Sequence, residues 1–98
     1  MNGTAIRTPI APTVYTTADD NAVVYAVYPP VSFDSGFRST AFVIVASSDL
    51  VGDTVIHPCD SAGQMVGFDL IAHVPVPVHA AALAEAGYDL EEVTSDAA

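Results

Sequence analysis

Residues 41–46 read AFVIVA, an unbroken apolar run in which Val43, Ile44 and Val45 are β-branched. Branching at Cβ restricts χ1 and favours a pleated strand over a helix. A strand with one wet face would alternate apolar and polar residues, and this one does not. Its chemistry therefore requires cover on both faces, which places it inside a sheet with a strand on each side. Phe42 and Ile44 are expected to be deeply buried there. The run is also far too short for the roughly 18 residues that a membrane-spanning helix needs.

The neighbours can be sought in the rest of the chain. Residues 22–28 put Val23, Tyr25 and Val27 on one face and Val24, Ala26 and Tyr28 on the other, with Pro29-Pro30 expected to end the strand. A further β-rich run at 13–17 joins it through the turn-forming stretch 18–21. Asp34-Ser35-Gly36 marks a turn flanked by Phe33 and Phe37, and 47–53, which holds Gly52, reads as a loop. Residues 54–57 and 64–73 resemble the arms of a hairpin, with Asp60 and Gly63 at the first and fourth positions of a type I turn. In the second arm Val66, Phe68 and Leu70 share a face.

Pro75 and Pro77 stop the sheet and lead into an Ala-rich helix over 78–86, striped by Val78, Ala82, Leu83 and Ala86. Gly87 suits the left-handed position after the helix, with Tyr88 folding back over the last turn. Residues 1–12 read as an extended Pro/Thr arm and 91–98 as an acidic tail. The expected architecture is a single α+β domain: a mainly antiparallel sheet of four to five strands within 13–74, with one C-terminal helix and its cap at 75–90 packed on it.

Charge excludes several functions. Two Arg, no Lys and twelve acids leave a net charge of −10. A groove for nucleic acid must neutralise several phosphates, and an anionic membrane surface attracts cations, so neither is an expected partner. Arg7 is the sole early cation, and Pro9 and Pro12 break the apolar stretch that a secretory signal would need. The lone Cys59 has no disulfide partner in the chain, which fits a reducing cytoplasm.

Candidate chemistry is sparse. His57, Cys59, His73 and His79 are metal-ligand types, but no C-x-x-C or H-x-x-x-H pair supports a zinc site. Cys59 follows Pro58 at a turn, a common place for a small apolar filler, and Ser35 and Ser61 lack the strand–turn–helix elbow of an activated serine. There is no glycine-rich phosphate loop or P-loop lysine, and Arg7 and Arg38 are the whole supply of anion clamps. Neither catalysis, a metal nor a cofactor is expected.

Binding is better supported. Tyr15, Tyr25, Tyr28, Phe33 and Phe37 crowd the N-terminal half, where they either complete the core or form an interface. The strand at 23–28, if it were an edge, would pair with a second copy or a partner sheet. Glu85, Asp89, Glu91 and Glu92 form an acidic cluster that would confer solubility, steer a basic partner or imitate phosphates.

The stretches 42–47, 53–66 and 79–90 (FVIVAS, DTVIHPCDSAGQMV and HAAALAEAGYDL) resemble small accessory proteins of actinobacterial phages and prophages. In that pattern a V-V-S strand precedes an E-T-x-x-F-P-A-D-x-x-G-x-V hairpin and a short helix ending A-L-x-x-x-G-Y-E. His57 replaces the aromatic of the pattern, Cys59 its small residue, and Phe68 stands near its Trp. The resemblance implies a mobile-element setting and carries over no functional residues. It suggests a non-enzymatic protein that binds a host factor or defence protein in the host cytoplasm. The alternative is a virion component such as a head-decoration protein, which would oligomerise on the capsid and grip it with the 1–12 arm.

Overall fold

The computed structural model describes residues 3–10, 20–33, 36–48, 51–67 and 70–91. Six strands and one short helix follow one another as β1 (Gly3–Arg7), β2 (Asp20–Phe33), β3 (Arg38–Ser48), β4 (Asp53–Cys59), β5 (Ala72–Val74), α1 (His79–Glu85) and β6 (Tyr88–Glu91). They form one sheet in the order β5-β4-β3-β2-β1-β6. The α+β class holds. The sheet, however, has six strands rather than four to five, and it is mixed: β6 runs parallel to β1 while the other neighbours are antiparallel.

The AFVIVA run lies within β3, between β2 and β4, and Ile44 and Val45 are fully buried. Its alternating side chains feed two clusters. Val43 and Val45 join Val23, Tyr25, Ile56, Ala82 and Leu83 on the face that α1 covers. Ile44 joins Val24 and Cys59 on the opposite face, where Ile10 and Met65 pack over them. Phe42 is on this second face and only partly buried.

Several expectations need correction. The 1–12 segment contains β1, which is held on both sides: Ala5 stands opposite Val27 of β2 and Leu90 of β6. Pro29-Pro30 does not end β2. The pair falls where the register with β3 shifts, between Ala26 and Val31, and beyond the last β1 pairing at Tyr28, so the missing N–H groups interrupt no ladder. Nor is 23–28 an edge, since β3 and β1 flank it. The proposed strand at 13–17 and the turn residues Asp34 and Ser35 lie outside the described residues, as do 92–98 of the acidic tail.

The Asp60–Gly63 turn forms as expected, with the Gly63 N–H donating to the Asp60 carbonyl at 3.0 Å. The Asp60 carboxylate also accepts from the Ala62 and Gln64 N–H groups. The second arm is broken, however. Extending the Cys59–Met65 bridge residue by residue would put Phe68 opposite Ile56, yet Ala72 is there, four residues later. The register with β4 thus differs by four residues between Met65 and Ala72, and Ala72–Val74 form strand β5.

Helix α1 begins one residue later than expected, with Val78 as its N-cap, and buries Ala82 and Leu83. Gly87 has φ +94°, as the position after the helix requires. Tyr88 joins Ala82 and Leu83 of the helix in one buried cluster. It opens β6, opposite Gly3, and its hydroxyl donates to the Pro29 carbonyl at 2.6 Å.

Candidate functional site

The five aromatic candidates separate. Tyr25 and Phe33 are core residues, 3% and 4% exposed. Tyr25 Oη shares a 3.0 Å hydrogen bond with His79 Nδ1 and tethers the first turn of α1 to the sheet. Phe33 lies under the Arg38 guanidinium, 5.0 Å from the ring centroid, and a Cβ added at Gly67 would come within 3.3 Å of its ring. Neither of these two rings is presented to a partner, because both fill space between elements. Tyr28 and Phe37 are 76% and 90% exposed, Phe37 at the β2–β3 turn and Tyr28 within the sheet. Tyr15 lies outside the described residues.

Register explains why Tyr28 stands out. Strand side chains alternate between faces, so Tyr28 shares the helix-free face with Val24 and Ala26, whereas Val27 turns toward α1. Among the described residues, Ile10 and Met65 pack over Val24, Ile44 and Cys59 on this face, whereas Tyr28 and Ile6 on its β1–β2 side are exposed. There Thr4 lies opposite Tyr28, and Ile6 lies opposite Ala26, which in turn faces Phe42. Ile6 is 36% exposed. Of the acids, Asp89 pairs in register with Thr4 and Glu91 with Ile6, so both border this patch. Glu85 is exposed on α1, on the other side of the sheet, and Glu92 lies outside the described residues. The acidic residues are thus divided between two faces rather than gathered into one cluster.

Thr4 and Ile6 were not evident as surface candidates from sequence. Their signal is the alternation in GTAIR, where Ala5 points inward between them, and the nearby Pro9 and Pro12 mask it.

The metal-ligand types do not converge. His57 and Cys59 sit on β4, His73 Nε2 pairs with Asp53 Oδ2 at 3.0 Å on the β4–β5 side, and His79 is engaged by Tyr25. Among the described residues no group of three or more His, Cys, Asp or Glu stands together as a metal site. The His73–Asp53 pair is hydrogen-bonded to no hydroxyl or thiol among the described residues. Ser47 and Thr54 share a buried 2.7 Å hydrogen bond, and Thr54 donates onward to the Val76 carbonyl, a structural chain that anchors the segment after β5.

Cys59 is fully buried, and burial, aided by the Asp60 charge, pushes its thiol from 9.0 up to about 12. The thiolate is the reactive form, so the folded protein should resist a thiol-directed disulfide reagent near pH 8 and react once unfolded in urea. Burial also raises the Tyr25 and Tyr88 hydroxyls above 10.0, with Arg7 opposing the shift at Tyr25. A group that holds its proton more tightly when folded gives stability that is intact below its unfolded pKa and lost above it. The urea midpoint should therefore fall between about pH 7.5 and about pH 10.5. An unchanged midpoint would contradict the burial of these groups.

No protein-family model, curated protein or solved structure matches the chain. Among the described residues no helix is long and apolar enough to cross a membrane.

Proposed function

We propose that this chain is a non-catalytic protein-binding module of phage or prophage origin that acts on a host protein. The observation that carries the reading is Tyr28: a large side chain, 76% exposed, within a strand on the sheet face opposite the helix. Tyrosine contributes wide contact area with a polar tip at little entropic cost, which suits it to anchor an interface. The mobile-element setting rests on the resemblance of 42–47, 53–66 and 79–90 to phage accessory proteins.

The test is purification of the tagged protein from infected actinobacterial cells. The reading expects one stoichiometric host protein to travel with it, and recovery of the chain alone would refute it. For that complex, Tyr28→Ala should raise the dissociation rate about tenfold or more, because anchors set lifetime. Raising salt from about 0.05 to 0.5 M should instead slow association, since a charge of −10 acts mainly at encounter. Surface-binding kinetics separate the two effects.

A second reading, a head-decoration protein, is favoured by one feature. Strand β5 ends the sheet, and the stretch 70–78 around it carries no Asp, Glu, Lys or Arg while exposing Leu70, Val76 and Val78. Such an uncharged rim suits lateral contact between copies on a lattice. Co-sedimentation of the chain with purified virions would select this reading over the first.

A further inference from the structure

We propose that the β6–β1–β2 side of the helix-free face docks a Lys/Arg-rich segment that carries an apolar or aromatic anchor. The proposal rests on the reading of the chain as a protein binder and states where that binding occurs and what the partner offers.

Two cross-strand rows define the surface. One runs Asp89–Thr4–Tyr28 and the other Glu91–Ile6–Ala26. Each passes from a carboxylate on the outermost strand to apolar groups further in. Asp89, Glu91 and Tyr28 are exposed, and Ile6 is at the margin of exposure. Arg7 pairs in register with Tyr25, whose side chain is on the helix-covered face, and Arg38 donates to the Val66 carbonyl.

Charge decides among occupants. A second copy would set two chains that each carry −10 against each other. Like charges set against each other at an interface oppose the complex. Nucleic acid and anionic membranes are repelled for the same reason. A cationic segment instead meets the two carboxylates at the rim, and its apolar side chain meets Tyr28 and Ile6. An anchor with charged neighbours at its edge is the usual division of labour in a protein interface. The outer edge of β6 also ends the sheet, so an extended segment has backbone groups to follow beside the acids.

The experiment titrates the full chain with a synthetic peptide of alternating Lys and Phe, followed by amide NMR shifts and calorimetry. Two control peptides replace every Lys by Glu or every Phe by Ala. Shifts should centre on Thr4, Ile6, Tyr28, Asp89 and Glu91, and both control peptides should bind at least about tenfold more weakly. The double variant Asp89→Asn, Glu91→Gln should weaken binding and flatten its salt dependence, Tyr28→Ala should weaken it with the salt dependence kept, and Glu85→Gln should change neither. All four substitutions are at exposed positions, and the NMR spectrum of each variant verifies its fold directly.

Shifts spread over Asp53, Asp60 and Glu85 would overturn the proposal by showing attraction to charge alone. So would a harmless Tyr28→Ala, an absence of binding, or shifts centred on Phe37. If a host protein is still recovered from infected cells after any of these results, the chain remains a protein binder and only this surface is wrong.

Discussion

Ile44→Ala is expected to lower the unfolding free energy by about 3–5 kcal/mol, near the top of the range for deleting a buried aliphatic side chain. Ile44 is fully buried in the central strand, against Val24 and Cys59, with β2 and β4 on either side. Strands held by two neighbours cannot readily collapse into the cavity, so the lost contacts are not recovered. Against a total of about 5–15 kcal/mol for a domain, the variant would sit near the limit of folding. Phe42→Ala removes more atoms but should cost less, because Phe42 is only partly buried. Urea melts of the two variants give the comparison, and a larger loss for Phe42→Ala would show that the second face is better covered than described.

The second large effect is expected at Gly3. A Cβ there would lie 2.5 Å from the Tyr28 carbonyl oxygen and 2.7 Å from the Tyr88 ring. The oxygen belongs to the paired backbone of β2 and cannot swing aside as a flexible side chain would. Gly3→Ala should therefore destabilise by about 1–3 kcal/mol, with the damage confined at first to β1 and β6. Hydrogen exchange can resolve this: amides of 88–91 should lose protection while those of β3 and β4 keep theirs. Uniform loss across the sheet would mean that β1 and β6 are integral to a single cooperative unit.

How much of this was legible follows from the range of each signal. β3, the Asp60–Gly63 turn, the helix with its Gly87 terminus, and the two-faced pattern of β2 are written in adjacent residues. β1 and β6 are not. GTAIR has little strand character and lies near prolines, and YDLE follows a helix cap as an acidic tail would. Each becomes a strand because the other is beside it, a pairing across more than eighty residues that no window contains. The same blindness affected the site. Tyr25 and Tyr28 look alike in sequence, and three positions of alternation in a sheet covered on one side by α1 make the first a core residue and the second a surface one. Pro29-Pro30 signals a strand end that does not occur, because a proline's missing donor matters only where a ladder would use it.

The parallel pairing of β1 with β6 also bears on how the molecule is made. Of the six strands, β1 is the first to leave the ribosome and β6 the last, so the hairpins linking β2, β3 and β4 can form from nearby residues while translation continues. Residues 3–6 must then wait for 88–91 before their outer side is covered. Contacts of such sequence separation are slow to close and raise the contact order of an otherwise local topology. During that interval β1 is an unpaired edge, the condition most exposed to mispairing with another nascent chain. The acids of β6 complete the sheet and end that exposure in one step, so production of soluble protein should depend on the last-made strand more than its four residues suggest.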